Sequence, residues 1–176
     1  DFVIQGAGIE PYATDVYRQL MMPLALVRPG NVDDVQAIAD FASRHDLALV
    51  PRGGGASYTD GYLPTRVGSL LIDLTRLNAI VEIKPDDGYV VVEAGVTWAQ
   101  LKAALDPLGL RTPFFGPFSG LAATIGGSLS QHSISHGSGA FGPSAQSVLS
   151  LDVVLASGEL LQTGSASRGG LPIQRW

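Results

Sequence analysis

The distribution of apolar and polar residues along the chain predicts a fold that mixes helices and strands. Short apolar runs at residues 24–27 and 47–50 predict two strands. Between them, apolar residues recur at three- and four-residue intervals over residues 32–45, which predicts an amphipathic helix capped by Asn31. A strand, a helix and a strand within about 30 residues form a βαβ unit. We therefore expect the two strands to be a parallel pair joined by the helix.

The rest of the pattern predicts a second helix and further strands. Thr97 and Gln100 have the spacing of a capping box, and Gly109 follows the last apolar position, so we expect a helix between Thr97 and Gly109. Residues 113–144 are rich in Gly, Ser and Pro and have no steady period, so no regular element is predicted there. Further strands are predicted at residues 70–72, 79–83, 89–93, 148–155 and 160–161, the last two as a hairpin.

Composition and charge restrict the classes of function. The chain has 176 residues, of which 45% are hydrophobic and 15% are charged, as in a globular protein. The net charge of −5 argues against a broad nucleic-acid surface. The absence of cysteine excludes disulfides, thiolate metal sites and cysteine nucleophiles. No apolar run approaches the roughly 18 residues of a membrane span, and we expect a cytoplasmic protein.

The N-terminal residues contain a misleading motif. Residues 2–8 (FVIQGAG) look like a strand that leads into a GxGxxG nucleotide-binding turn, but the third glycine would fall at Pro11 and no helical pattern follows. We therefore expect an irregular N-terminal segment over residues 1–22 and one domain over residues 23–176.

Three consecutive glycines follow the strand at 47–50, in the segment PRGGGAS at residues 51–57. Glycines let a backbone come close to a ligand and point successive N–H groups at it, which suits a diphosphate. Arg52 would add charge or brace the loop, and the Ser57 hydroxyl would add a donor. The alternative is a mobile surface loop that binds nothing.

A second segment, TIGGSLSQ at residues 124–131, repeats the combination of paired glycines and hydroxyl side chains. Two such segments some 70 residues apart indicate one extended ligand that is held at two places. The alternative is a tightly packed turn beside an unrelated loop.

Together, five motifs resemble the FAD-binding domain of the vanillyl-alcohol oxidase / para-cresol methylhydroxylase family. This family of FAD-linked oxidases includes D-lactate and glycolate dehydrogenases. The resemblance extends from about Pro23 to Gly164. The motifs are VRP at 27–29, PRGGGAS at 51–57, EAGVT at 93–97, ATIGG at 123–127 and SVLSLDVVL at 147–155.

The resemblance implies a two-subdomain α+β fold, in which a small parallel βαβ sheet packs on a larger, mostly antiparallel sheet with FAD between them. By analogy, the amides of residues 53–57 hold the pyrophosphate, the second glycine segment lies along the flavin and its ribityl chain, and Val153 or Val154 lies near the adenine or ribose. The implied cofactor-binding residues are Arg52, Gly53, Gly54, Gly55, Ala56, Ser57, Gly61, Thr124, Gly126, Gly127, Ser130, Val153 and Val154.

The chain departs from the family pattern at three positions. Family members with a flavin attached covalently to this loop carry histidine where this chain has Ala56, so we expect FAD to bind without a covalent bond here. The family's frequent Tyr-Gly is Phe141-Gly142, and an acidic residue shortly after it is Gln146. None of these changes removes the phosphate loop.

The sequence points to no firm catalytic residue. His132 and His136 are the candidates for a base, against the alternative that they are solvated loop residues. They are spaced like helical metal ligands, but neither a carboxylate nor a third histidine is close in sequence, so we expect no metal.

The resemblance implies the FAD-binding part of a flavin-dependent oxidoreductase. We expect it to oxidise a small hydroxy acid or alcohol by hydride transfer to FAD. One alternative is a non-catalytic FAD or nucleotide module that serves a partner subunit. The other is a structural domain that binds nothing. The substrate pocket is expected from a cap domain or partner chain beyond this sequence, and a homo-oligomer is left open.

Overall fold

A computed structural model describes residues 2–15, 17–113 and 119–164, and it is built around a four-stranded mixed sheet. The strand order is β1-β2-β4-β3. β2 and β3 both run parallel to β4, whereas β1 runs antiparallel to β2. The strands are β1 (Val3–Ile4), β2 (Ala25–Val27), β3 (Ala48–Arg52) and β4 (Ser69–Asp73).

The two strands of the predicted βαβ unit are not neighbours, because β4 lies between them. Leu70 of β4 pairs with Ala25 of β2 on one side and with Leu49 of β3 on the other. Every residue of β4 is buried, as is usual for a strand with neighbours on both sides in a parallel sheet. The crossover helix α1 (Val32–Arg44) forms as predicted, with the Asn31 side chain accepting a hydrogen bond from the Asp34 N–H.

The antiparallel part consists of two separate ladders in the described residues. β5 (Ile80–Lys84) pairs with β6 (Tyr89–Val92), and β7 (Ser150–Val154) pairs with β8 (Leu160–Gly164). The α+β class with parallel and antiparallel parts is confirmed. However, the larger sheet among these residues is the four-stranded mixed one rather than an antiparallel one.

Helix α2 (Trp98–Leu105) has the predicted capping box, in which the side chain of Thr97 and that of Gln100 each accept the other residue's backbone N–H. Its buried Leu101 and Leu105 pack with Val96 against the β5–β6 ladder. A 3₁₀ turn then leads to Gly109, which has the positive φ of 67° expected of a helix-ending glycine.

The N-terminal residues are attached to the sheet. Beyond β1, a 3₁₀ helix spans Gly6–Tyr12, and Ile9 and Ala13 are buried against Leu26 and Leu71. A two-residue strand and a single 3₁₀ segment have no sequence period, which is why only an irregular segment was expected there. The proposed domain boundary at residue 23 stays a prediction, and residues 165–176 of the predicted domain lie outside the described ones.

Two short helices lie in the glycine-rich region for which no element was predicted. They are α3 (Ile125–Ser130) and α4 (Ser138–Phe141). Six and four residues are too few to establish a helical period in the sequence. Within the described ranges, no helix has the length and apolarity needed to cross a membrane.

Candidate cofactor-binding site

The two glycine segments lie against each other at the carboxyl end of β3. A Cβ added to Gly53 would overlap the Thr124 side chain, and one added to Gly54 would overlap the backbone carbonyl of Ala122. Thr124 also forms an isolated antiparallel bridge with Thr97, so the starts of α2 and α3 are tied together. The structure thus brings together the two segments that the sequence pattern singled out.

The carbonyl groups of the first glycine segment are held from one side. The Gly53 carbonyl accepts a hydrogen bond from Arg52 Nη1 at 3.1 Å. The Tyr62 hydroxyl donates to the carbonyls of Gly55, at 2.9 Å, and Ser57, at 3.1 Å. The described residues contain no cis peptide bond, and in a trans peptide the N–H points away from the C=O. The N–H groups that follow these carbonyls therefore point away from Arg52 and Tyr62.

The backbone N–H groups of residues 53–57 donate to no other described residue. Successive backbone N–H groups of a loop that have no protein partner are able to bind an anion. The diphosphate of a dinucleotide supplies acceptor oxygens of the kind that such a row of donors requires.

Arg52 places a positive charge beneath this loop. Its guanidinium lies 5.3 Å from the centroids of both the Tyr12 and the Tyr62 rings. Its Nε is buried and has no hydrogen-bond partner, and no carboxylate among the described residues forms an ion pair with it. The positive charge of Arg52 is therefore not neutralised by an acidic side chain of the described residues. It favours an anion on the backbone N–H groups of residues 53–57, which we call the amide row.

Tyr62 is the hydroxyl donor that fixes the shape of the loop. Its side chain is buried, and burial raises the pKa of Tyr62 above its usual range, with the nearby Arg52 partly opposing the shift. The phenol consequently stays protonated near neutral pH and keeps its proton for the two carbonyls that it holds.

The second glycine segment uses its polar groups within the protein. Thr124 Oγ1 accepts from the Gly127 N–H at 3.2 Å, and the Gly126 N–H donates to the Ala94 carbonyl at 2.9 Å. Ser130 Oγ donates to the carbonyl of Gly126 at 2.8 Å. These bonds make the start of α3 a rigid support for the first segment. Direct contact between these residues and a cofactor stays a prediction.

Gln131 joins the two segments and was missed by sequence reasoning. Its Nε2 donates to Ser57 Oγ at 2.7 Å and to Thr59 Oγ1 at 3.3 Å. It directly follows the second motif, but nothing in the sequence links it to Ser57, 74 positions away. At Gly61 an added Cβ would meet Thr59 and Gln131 only at ordinary contact distances, so packing does not require glycine there.

The remaining candidates lie on other elements. Val153 and Val154 are half-buried on β7, and the turn after it is held to α1 by Gln36 Nε2, which donates to the Gly158 carbonyl at 2.8 Å. His132 and His136 are exposed in the segment after α3. His132 has the left-handed φ of 50° that is uncommon outside glycine.

A glycine-rich loop directly after a parallel strand of an α+β fold is typical of domains that bind the phosphates of a nucleotide. The chain matches the family model for the FAD binding domain over residues 23–164 and belongs to that family. The resemblance seen in the motifs is thereby confirmed, and FAD is the cofactor of this domain. Since the amide row and Arg52 suit a diphosphate, the residues present fit FAD.

Curated relatives agree with this assignment. The chain is 32% identical to the glycolate oxidase subunit GlcD of Bacillus subtilis (strain 168), a match that covers 93% of this chain and 35% of the relative. It is 35% identical to D-2-hydroxyglutarate dehydrogenase of Escherichia coli (strain K12), with 86% of this chain and 15% of the relative covered. The chain therefore spans about one third or less of the length of these relatives.

A solved structure has the same fold. An alkyldihydroxyacetonephosphate synthase superposes with a TM-score of 0.83 over 95% of this chain and 33% of that one, at 18% sequence identity. At this identity the likeness establishes the fold alone.

Proposed function

We propose that this chain is the FAD-binding part of a flavin-dependent oxidoreductase that oxidises a small hydroxy acid or alcohol. The observation that carries the proposal is the row of backbone N–H groups at residues 53–57 above Arg52. Among the described residues, these N–H groups have no acceptor and Arg52 has no acidic partner. FAD, when bound, supplies the hydride acceptor, and the protein supplies position and electrostatics.

Each part of the first segment has a distinct role in this proposal. The N–H groups of Gly54, Ala56 and Tyr58 follow the three carbonyls held by Arg52 and Tyr62, so they would donate to the diphosphate. Hydrogen bonds to charged acceptors contribute about 1.5–3 kcal/mol each. The further residues assigned to the cofactor are Gly53, Gly55, Ser57 and Gly61 at the loop, Thr124, Gly126, Gly127 and Ser130 toward the flavin, and Val153 and Val154 toward the adenosine.

The substrate class comes from the relatives. Three of them are named for glycolate, D-2-hydroxyglutarate and D-lactate, each of which is a 2-hydroxy acid. A 2-hydroxy acid is therefore the proposed substrate. A fourth relative, a 1'-carboxy-chondrochloren decarboxylase of Chondromyces crocatus, is 30% identical over 86% of this chain. The choice of substrate accordingly depends on more than the FAD-binding domain.

A second candidate is a non-catalytic FAD module that serves a partner subunit. The Bacillus relative is named as a subunit of an oxidase, and the candidate bases His132 and His136 are exposed loop residues. In either case a cap domain or a partner chain would complete the substrate pocket. The cytoplasmic location expected from the sequence is carried here as a proposal as well.

The binding step is tested by titrating flavin-free chain with FAD and, in parallel, with riboflavin, which lacks both the diphosphate and the adenosine. Flavin fluorescence reports both titrations. We expect FAD to bind at least about tenfold more tightly, because one charge-assisted hydrogen bond already accounts for that factor. Equal affinities for the two ligands would contradict the role of the amide row.

The catalytic step is tested by anaerobic bleaching of the bound flavin with a panel of 2-hydroxy acids, phenols and sugars. Positioning of reactants contributes up to about 7–11 kcal/mol to such reactions. We therefore expect slow bleaching with residues 1–176 alone and fast bleaching with a version of the chain extended to the length of its relatives. Absence of bleaching in both, with FAD bound, would favour the non-catalytic module.

A further inference from the structure

Tyr12 lies between two arginines at the base of the glycine loop. Its ring centroid is 4.9 Å from the guanidinium carbon of Arg28 and 5.3 Å from that of Arg52. Its hydroxyl accepts a hydrogen bond from Arg28 Nη2 at 2.6 Å. Tyr12 comes from the 3₁₀ helix that precedes the matched family region, which begins at residue 23.

The two arginines differ in how their charges are balanced. Arg28 Nε lies 3.0 Å from Asp73 Oδ2, and Asp73 is only 1% exposed. Among the described residues, Arg52 has no such carboxylate, and its Nη1 donates only to the Gly53 carbonyl. The Arg28–Asp73 pair is thus close to neutral, whereas Arg52 carries the net positive charge of the cluster.

Aromatic rings and carboxylates hold a guanidinium in different ways. A carboxylate neutralises the cation that it binds, whereas the face of a ring attracts the cation through its quadrupole and leaves its charge in place. Tyr12 and Tyr62 both lie within cation–π distance of Arg52. An arginine held in this way remains available to attract an anion on the amide row above it.

We propose that Tyr12 is a positioning residue for FAD, which acts by fixing Arg52 beneath the diphosphate-binding amides. This inference rests on the proposed function of the loop. It assigns a role in cofactor binding to the N-terminal segment, which lies outside the matched family region. It also explains why Arg52 has no acidic partner among the described residues.

The first test compares FAD affinity in Tyr12→Leu, Tyr12→Phe and Arg52→Gln variants of the full chain at low salt and at about 1 M salt, where charges are screened beyond about 3 Å. We expect Tyr12→Leu to weaken binding about tenfold at low salt and much less at high salt, and Tyr12→Phe to stay within about threefold of the wild type. Tyr89→Leu, in the β5–β6 ladder where Tyr89 donates to Glu82, is the matched control and should leave FAD binding unchanged.

The double variant tests whether Tyr12 acts through Arg52. We expect Tyr12→Leu with Arg52→Gln to bind FAD no more weakly than Arg52→Gln alone, because the two residues act as one unit. The proposal is overturned if the losses of FAD affinity in the two single variants add up in the double variant. It is also overturned if Tyr12→Leu and Arg52→Gln each lower FAD affinity by the same factor at low salt as at high salt.

A second measurement remains informative if Tyr12→Leu does not fold. A phenylalanine at position 12 carrying increasing numbers of fluorine atoms keeps the shape of the ring but weakens its attraction for a cation. FAD affinity should fall stepwise along this series, and a flat series overturns the proposal. A wild-type chain that binds no FAD would instead overturn the proposed function, and this inference with it.

Discussion

Gly54 lies against the backbone carbonyl oxygen of Ala122, so closely that a Cβ at position 54 would overlap that oxygen. The sequence suggested that glycine is needed there to let a diphosphate approach. The structure adds a second requirement, because the first glycine segment must also pack on the loop that precedes α3. The fold itself therefore requires glycine at position 54, in addition to the proposed approach of the diphosphate.

Gly54→Ala is accordingly expected to destabilise the protein as well as weaken FAD binding. Overpacking against backbone costs about 1–3 kcal/mol, and we expect the free energy of unfolding in urea to fall by at least this amount without FAD present. Gly139→Ala is the matched control, since an added Cβ there meets no atom within 4 Å and the site lies in α4. This control should be neutral or stabilising by up to about 1 kcal/mol.

An unchanged free energy of unfolding in Gly54→Ala, together with weaker FAD binding, would show that the two loops separate easily. In that case only the ligand would require glycine at this position.

Sequence reasoning succeeded where the signal is local. The capping box of Thr97 and Gln100 depends on residues three positions apart, and the helix it predicts is present. It failed where the arrangement is set by distant partners. The insertion of β4 between β2 and β3 is a pairing between strands that are distant in the sequence, so no local pattern predicts it.

The candidate site shows the same division. The glycine runs and their hydroxyl residues are visible as motifs, and the structure packs them together. Tyr12, Tyr62 and Gln131 support the loop through contacts with residues that have no fixed spacing from them, the longest crossing 74 positions. No local pattern marks such residues, so only the folded chain identifies them.

Tyr62→Phe should weaken the loop at residues 53–57 that we propose binds the diphosphate. The substitution leaves the carbonyls of Gly55 and Ser57 without the hydroxyl that holds them, and an unsatisfied buried polar group costs about 1–3 kcal/mol. We expect a loss of stability of this size and a weaker affinity for FAD, measured by urea unfolding and by flavin titration. Full wild-type affinity in this variant would show that the amides keep their direction without Tyr62.

The same residue predicts a pH dependence. Burial raises the pKa of Tyr62 above its ordinary value of 10.0, so the folded state keeps a proton that the unfolded state loses first. The stabilisation is complete below pH 10.0 and is lost as the pH rises through the higher pKa of the folded state. Unfolding curves above pH 10.0 should therefore show a steeper loss of stability in the wild type than in Tyr62→Phe. If the wild type and Tyr62→Phe lose stability equally as the pH rises, the titration of Tyr62 does not contribute to stability.

FAD is expected to leave the protein completely on denaturation. The loop position at which related proteins attach their flavin through histidine is Ala56 here, and an alanine side chain cannot form that bond. Acid precipitation of the FAD-bound chain should give a colourless pellet and a yellow supernatant. An Ala56→His variant is the matched comparison, and flavin retained in the wild-type pellet would show attachment at another residue.

His132 provides the last prediction, because its backbone conformation allows a structural role to be separated from a catalytic one. It directly follows Gln131, has a φ of 50°, and is exposed. The left-handed region costs a residue with a Cβ about 1–2 kcal/mol, most of which glycine avoids. His132→Gly should consequently match or exceed the wild type in urea unfolding, whereas the β-branched His132→Val should be less stable. If His132 only closes the turn after α3, both variants should bleach FAD with substrate at the wild-type rate in a catalytically complete chain. A fall of about 100-fold or more in both, the size of a lost general base, would instead make His132 the catalytic base.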